Sequence, residues 1–396
     1  MKKIGFIIDN DFYRDQRVRN EVNILAEKYH IFVLCFTFSR KKKIFPQENK
    51  IWVQQIYLPR TWKNILFGMQ NTFPLYDWLW GVWILKFILK FQLQSIHVHD
   101  LFMAKAGFWA KQKTGLPLIL DLHENYPEAI KTYSWANRGL KKYLAQPQKW
   151  TMKEKTWLTY PDKIVVVYEG FKQLLLQKYS FLKPENIVVY DNVPHLEEFS
   201  AYPIEPQIFP KENKFLLLYF GIISRSRGIV TCVEALNILR KKYPQLHLLL
   251  IGPITKAEKK NFASLFLHDE QITHYDWKDL KYLPSYLHLA DVCINPLLKN
   301  PHHESTFANK IYQYASGSKP IIVSDCKPLK DFIEEHQCGL SFQAENPNDL
   351  AEKIEFLLQN PAQGKILGEN GRQAVLTKFN LNVLKNRLFD LYNAEI

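Results

Sequence analysis

The 396-residue sequence predicts an α/β protein made of two doubly wound, parallel-sheet domains. Three observations predict it. Short apolar runs of strand length alternate with amphipathic helical stretches from the first residues onward. A proline-rich stretch without periodicity, Pro194 to Asn213, interrupts this alternation near the middle of the chain, and the alternation resumes at Phe215 to Phe220. With 47% hydrophobic and 23% charged residues the chain can fill two cores, and it is neither disordered nor fibrous.

Lys3 to Ile8 reads as the first strand, Asp9 to Gln16 as a loop, and Val18 to Lys28 as a helix with Val18, Val22 and Leu25 on one face. Ile31 to Phe36 is the next strand. The opening is therefore a βαβ unit, and in such sheets ligands bind at the carboxyl ends of the strands. Leu75 to Gln94 is the most apolar helix of the chain. Lys86 and Lys90 interrupt it, so its apolar runs fall far short of the ~20 residues that a bilayer requires. It reads as a crossover helix on the sheet with its lysines reaching outward, or as an interfacial helix, for which Trp78, Trp80 and Trp83 beside lysines argue. Ser95 to Asp100 and Pro117 to Glu124 are strands that each end in a histidine and an acid, His99-Asp100 and His123-Glu124, along the same sheet edge. Asp162 to Val167 and Glu185 to Asn192 close this half.

The second half opens with the strand Phe215 to Phe220, the turn GIISRSRG and a helix from Ile229 to Lys242. A glycine at a strand end lets the backbone approach a ligand, and the nearby arginines can neutralise a diphosphate. His247 to Gly252, Thr273 to Trp277 and Ala290 to Pro296 continue the sheet. From Glu304 to Cys326 a polar loop, a helix from Lys310 to Ala315 and a core strand from Pro320 to Ser324 form one unit, with Ser305, Thr306 and Asn309 as possible N-caps. Free N–H groups, the helix dipole and Lys310 together make a seat for a phosphate. His302, His303 and Glu304 invite a metal reading, but adjacent loop side chains rarely converge on one ion, so no metal is expected. After Leu350 to Gln359 and a polar segment, Asn380 to Tyr392 reads as a terminal helix.

Cys35, Cys232, Cys293, Cys326 and Cys338 are odd in number, dispersed and set in apolar runs, as buried thiols of a reducing compartment are. The start MKKIGFIIDND has too short an apolar run for a signal-peptide core, so a cytoplasmic protein is expected. Residues 1–197 hold 29 Lys and Arg against 17 Asp and Glu, an excess of 12, whereas residues 198–396 hold 23 against 22. Such asymmetry fits a first domain that meets a polyanion, either nucleic acid or an anionic membrane surface. No nucleic-acid recognition motif is visible, and the basic residues are not interleaved with aromatics.

Taken together, the motifs resemble the retaining, GT-B fold glycosyltransferases of family four, over almost the whole chain. Asn309, Lys310, Ser318 and Pro320 fall where that family carries its donor-site signature. Asp15, Arg17 and Val18 resemble its D-x-R-V loop; Gly221, Arg227 and Gly228 its glycine turn; and Asp121 to Glu124 its D-x-H-E element. Two departures stand out: the family's two acids, separated by seven other residues, are replaced by Ser305 and Gln313, with Glu304 one residue out of register, and Ile222 takes a common basic position for which Arg225 can substitute. Asp9-Asn10-Asp11 is formally the D-x-D motif of another glycosyltransferase fold, but it has no preceding nucleotide-binding half to serve.

The resemblance implies two Rossmann-like domains facing each other across a cleft: an acceptor domain at 1–195 onto which the C-terminal helix, about 378–396, returns; a linker at 196–213; and a donor domain at 214–377. It implies transfer of a hexosyl-type sugar, with retention, from a nucleoside diphosphate to a lipid-linked or nascent surface-polysaccharide acceptor such as lipopolysaccharide, with the enzyme peripheral on the cytoplasmic face of the inner membrane. It implies His123, Arg227 and Lys310 as catalytic residues. Gly221, Arg225, Tyr275, Trp277, Glu304, Ser305, Asn309 and Gln313 would bind the donor, and Asp15, Arg17, His99 and Glu124 the acceptor; no metal cofactor is implied. The alternatives are a nucleotide-sugar epimerase of the same fold and a basic nucleic-acid-binding protein.

Overall fold

The computed structural model describes residues 1–40, 50–133, 146–255, 258–266 and 269–393. They fall into two compact units, Met1–Asn192 together with the chain from Leu384 on, and Val193–Val383.

The first unit is a seven-stranded sheet of β1 (Lys3–Ile8), β2 (His30–Thr37), β3 (Ile51–Tyr57), β4 (Ser95–His99), β5 (Leu118–Leu122), β6 (Lys163–Val166) and β7 (Ile187–Val189), in the order β3-β2-β1-β4-β5-β6-β7. All its pairings are parallel. Strands β4 and β5 are buried along their whole length, as strands covered on both faces must be. The strand order reverses between β1 and β4, which places the binding edge of this sheet at their carboxyl ends. Asp15 caps the helix Gln16–Leu25 by accepting from the Val18 N–H at 3.2 Å, so the helix begins two residues before the expected position. The helix Leu75–Phe91 turns Trp80, Ile84 and Phe87 into the core and is a crossover helix on the sheet; of its tryptophans, Trp78 stands out at 57% exposure whereas Trp80 is fully buried.

The terminal helix Leu381–Asn393 packs on this first unit. Tyr392 and Leu388 are buried, the Tyr29 hydroxyl donates to Asn393 Oδ1 at 2.9 Å, and the Tyr392 hydroxyl lies 2.6 Å from His97 Nδ1.

The second unit is a six-stranded sheet of β8 (Phe215–Phe220), β9 (Leu246–Ile251), β10 (Ile272–Tyr275), β11 (Val292–Asn295), β12 (Ile321–Ser324) and β13 (Gly339–Phe342), in the order β10-β9-β8-β11-β12-β13 and again parallel throughout. Its strand order reverses between β8 and β11. The stretch expected to be a linker differs from that expectation: it contains the helix Leu196–Ala201, buries Phe199 and Phe209, and donates from the Glu205 N–H to Ser285 Oγ at 2.9 Å, so it belongs to this unit. The polar segment before the terminal helix is itself helical, Pro361–Thr377. Its glycines weaken helix propensity but permit close packing: a Cβ on Gly368 would come 2.1 Å from the Ser318 carbonyl oxygen. This helix thus braces the turn that ends the helix Lys310–Ser316.

Candidate active site

In the second unit the site is built at the carboxyl end of β8. Gly221 leaves the strand at φ +144°, and a Cβ there would stand 2.7 Å from Lys310 Nζ. Lys310 in turn rests over the Tyr219 ring, Nζ 3.9 Å from its centroid. Burial, and after it the nearby Arg227, hold the Lys310 ammonium well below the ordinary lysine range. Among the described residues neither Arg227 nor Lys310 has a carboxylate partner. Lys310 at this glycine, and Arg227 near enough to lower its pKa, thus form a basic pair with no carboxylate partner among the described residues, an arrangement that suits an anion. Tyr219 was not anticipated, because a tyrosine inside an apolar strand reads as core; the Tyr314 hydroxyl, accepting from the Phe220 N–H at 2.9 Å, fixes the same strand end.

The other expected donor residues are distributed less favourably. Ser305 is 3% exposed, and its hydroxyl donates to the Pro301 carbonyl at 2.7 Å, so the expectation that it faces a donor is corrected. Thr306 likewise donates to the His302 carbonyl, and Asn309 makes no side-chain cap, so none of the three anticipated caps acts as one. The helix Lys310–Ser316 has only 7 residues, so its dipole counts for little and the side chains must carry the charge. Glu304 accepts from the Lys327 N–H at 3.2 Å and thereby caps the following helix. Gln313 is half-buried one turn beyond Asn309, which is exposed. Arg225 is exposed and is held by its backbone N–H on Glu258, at 3.0 Å, rather than joining Arg227. Tyr275 ends β10 with Lys278 over its ring, and Trp277 is 70% exposed beyond it. His302 is pushed by burial down to about 3, and His303 bonds the Leu298 carbonyl at 2.6 Å, so these histidines with Glu304 spend their polar atoms separately.

In the first unit the centre is Asp121, at 0% exposure on β5. Arg17 grips it with Nη2 at 3.0 and 3.1 Å from its two oxygens, and also meets Glu21 at 3.0 Å and the Tyr190 carbonyl at 2.9 Å. At 5% exposure with all of these partners, Arg17 does not reach an acceptor, contrary to expectation; it is a buried clamp. His99 at 0% exposure is likewise corrected from an acceptor contact to a buried neighbour of Asp121, 3.5 Å away. His123 is the partly exposed member, its Nε2 3.4 Å from Asp121 and 3.0 Å from His99 Nδ1, its Nδ1 3.7 Å from Asp100. Burial opposes its charge, but Asp100 and then Asp121 outweigh burial and raise the imidazole to about 10. Asp100 sits at φ +72°, a backbone conformation that turns its carboxylate toward this histidine. Glu124 accepts from the Tyr133 hydroxyl at 2.6 Å, and Asp15 is spent as the helix cap. Asp9 is buried between Tyr76 and Lys63, and Asp11 accepts from the Tyr13 N–H, so the formal D-x-D serves the local fold.

Each unit thus offers a distinct chemistry: an imidazolium at a strand edge in one, a doubly cationic glycine turn in the other. The family described as Glycosyltransferase Family 4 matches residues 17–194, and that described as Glycosyl transferases group 1 matches residues 203–374. Among curated relatives, a glycogen synthase of Mycobacterium tuberculosis is 20% identical over 303 residues, 76% of this chain and 68% of that protein. The capsular polysaccharide biosynthesis glycosyltransferase CapM of Staphylococcus aureus is 23% identical over 181 residues, 46% of each chain. Among solved structures, a sucrose-phosphate synthase from Thermosynechococcus elongatus superposes with a TM-score of 0.77 at 18% identity, over 99% of this chain and 98% of that one. HepE of Anabaena, solved in complex with UDP and glucose, superposes at 0.71 with 15% identity over 100% of both. The fold is that of the GT-B enzymes, and the chain belongs to the family four, group 1 glycosyltransferases.

Proposed function

We propose that this glycosyltransferase moves a hexosyl unit from a nucleoside diphosphate sugar to a lipid-linked or nascent surface-polysaccharide acceptor, with retention of anomeric configuration and without a metal ion. The observation that carries the donor side is Lys310 beside Gly221 with Arg227 acting on it, a basic pair uncompensated by any carboxylate among the described residues. The slow event in such a transfer is departure of the diphosphate from an oxocarbenium-like sugar, so catalysis is chiefly stabilisation of charge on the leaving oxygen. Two cations at one strand end do this. The bond from the anomeric carbon to the phosphate oxygen breaks, the acceptor oxygen bonds the same carbon from the same face, and its proton passes to the departing phosphate. In this reading the imidazolium of His123 is the group for the transferred sugar and Glu124 the acceptor-side carboxylate, Asp15 being held as the helix cap.

The acceptor class rests on the basic first half of the chain, on the capsular relative CapM, and on one surface of the first unit. There Trp62, Ile65, Phe73, Leu75 and Trp78 are all exposed on or between the helices Arg60–Gly68 and Leu75–Phe91, which also carry the exposed Arg60 and Lys86. No helix among the described residues is long and apolar enough to cross a membrane, so the attachment proposed is peripheral. Lys41, Lys42 and Lys43, part of the basic excess, lie outside the described residues.

A thermal-shift screen against nucleotides and nucleotide sugars tests the donor reading. A nucleoside diphosphate at 100 times its Kd should stabilise the protein by about 2.7 kcal/mol, and donor turnover should survive EDTA. No stabilisation by any nucleoside diphosphate refutes the reading; turnover of donor to an isomeric nucleotide sugar without acceptor replaces it with an epimerase.

A further inference from the structure

Beneath His123 lies a buried polar layer that the proposed transfer does not use. His97 and His99 are alternate residues of β4, stacked at 4.7 Å between centroids with planes 4° apart, and both are at 0% exposure. One ring nitrogen of each lies within 4.8 Å of a carboxylate oxygen of Glu21 and of Asp121. Nε2 of His97, Nε2 of His99 and both Glu21 oxygens make no hydrogen bond among the described residues. Buried polar atoms left in that state are costly, so the protons of this layer are expected to sit where donors face acceptors. A divalent ion could suit the same side chains. The guanidinium of Arg17, 3.0 Å from a carboxylate oxygen of Glu21 and of Asp121, already supplies the positive charge there.

The partners fix where each proton belongs. The Tyr392 phenol, buried on the terminal helix and held well above its ordinary pKa, keeps its proton and donates to His97 Nδ1 at 2.6 Å, which leaves the His97 proton on Nε2. Only one proton fits between His123 Nε2 and His99 Nδ1 at 3.0 Å. With His123 cationic that proton is its own, so His99 also carries its proton on Nε2. Burial pushes the Glu21 acid up to about 8 against the pull of Arg17, 3.0 Å away. With Arg17 and His123 both cationic, however, the layer is balanced by two carboxylates, Asp121 and Glu21. The Glu21 oxygens, which make no hydrogen bond among the described residues, are then the acceptors left for both Nε2–H groups.

We propose that Glu21 and Tyr392 are positioning residues that fix the tautomers of His97 and His99 and, through His99 Nδ1, keep the Nε2 proton on His123. The proposal rests on the reading of His123 as the group that meets the sugar, and it makes a residue of the terminal helix part of what sets the proton on that histidine. The charged and titratable groups acting on His123 include Asp100 from the turn after β4, Asp121, His99 and His97 from the sheet, and Arg17 and Glu21 from the helix Gln16–Leu25.

The test is nitrogen NMR of the full chain labelled with 15N-histidine, together with steady-state kinetics. In the wild type, His97 and His99 should appear as neutral Nε2–H tautomers and His123 as doubly protonated at neutral pH. Tyr392→Phe, which keeps the ring and so the packing, should leave His97 a mixture of tautomers. Glu21→Leu should unlock His99, let His123 lose its proton at lower pH, and reduce kcat roughly tenfold with donor KM held; Glu21→Gln, retaining an acceptor oxygen, should restore most of both. An Nδ1–H tautomer at His97 or His99 in the wild type, tautomers unmoved in both Tyr392→Phe and Glu21→Leu, or one tightly bound metal ion per chain overturns the proposal. Wild-type turnover in His123→Ala would sink the functional reading while leaving these spectra standing, so the two failures are distinguishable.

Discussion

Replacing Lys310 with methionine removes one charge and little volume from the glycine turn. In the free protein that charge is a liability: burial and Arg227 hold its ammonium well below the lysine range, against which the Tyr219 ring, 3.9 Å from Nζ, favours it. A lysine whose folded pKa is depressed costs stability at every pH below the unfolded pKa, and the cost fades as pH rises toward that value. Lys310→Met should therefore unfold at a temperature equal to or above that of the wild type. Function should move the other way. A cation used mainly on the leaving group contributes on the order of 3 kcal/mol to the barrier, so turnover should fall about a hundredfold. Bound diphosphate favours the ammonium, so the wild type should take up protons as it binds nucleoside diphosphate. Affinity should then weaken as pH rises above the free-state pKa of Lys310 and level off only above its pKa in the complex. Calorimetry in buffers of different ionisation enthalpy reads that uptake, and Lys310→Met should lack it. Near wild-type turnover in the variant, or equal proton uptake in both proteins, refutes the assignment.

Arg227→Ala should likewise lose about a hundredfold in turnover with the fold intact, by the same assay. His123→Ala should lower the rate far more than it lowers nucleoside diphosphate affinity, because the side chain belongs to the first unit; a collapse of that affinity in calorimetry would make it a phosphate ligand or a structural residue. Arg17→Met should cost about 3–5 kcal/mol in denaturant unfolding, since it strands the buried carboxylates of Asp121 and Glu21; a loss below about 1 kcal/mol would mean that the clamp is not what holds this layer. Co-sedimentation should favour anionic over neutral vesicles at low salt, weaken when Lys41, Lys42 and Lys43 become glutamine, and lose its salt-resistant part in Trp62→Ala with Trp78→Ala; no preference for anionic vesicles removes the membrane proposal.

The strands of both sheets were legible in the sequence because parallel strands covered on two faces must be continuous apolar runs: Phe215–Phe220 is read in the same place from either source. Edge strands were harder. Ile51–Tyr57 carries Gln54 and Gln55 in its middle and leaves most of its side chains partly exposed, so no periodicity announces it. The helix Pro361–Thr377 hid behind three glycines and polar residues whose purpose is close packing against the turn at Ser318. At the candidate sites, residue type and spacing along the chain pointed to Gly221, Arg227, Lys310 and His123, since a charged or titratable residue near a strand end needs little more than its neighbours to stand out. Direction and burial were beyond it. Arg17 and His99 carry the right chemistry at the right places in the sequence, yet the partners that decide their roles, Asp121 and His123, lie 104 and 24 residues away and meet them only in the folded sheet. Ser305 is turned inward by a carbonyl four residues back. The sequence alone determined which chemistry each strand end could present; the tertiary structure decided which of those groups face outward and which neutralise one another, because electrostatics depends on distances that chain order does not contain.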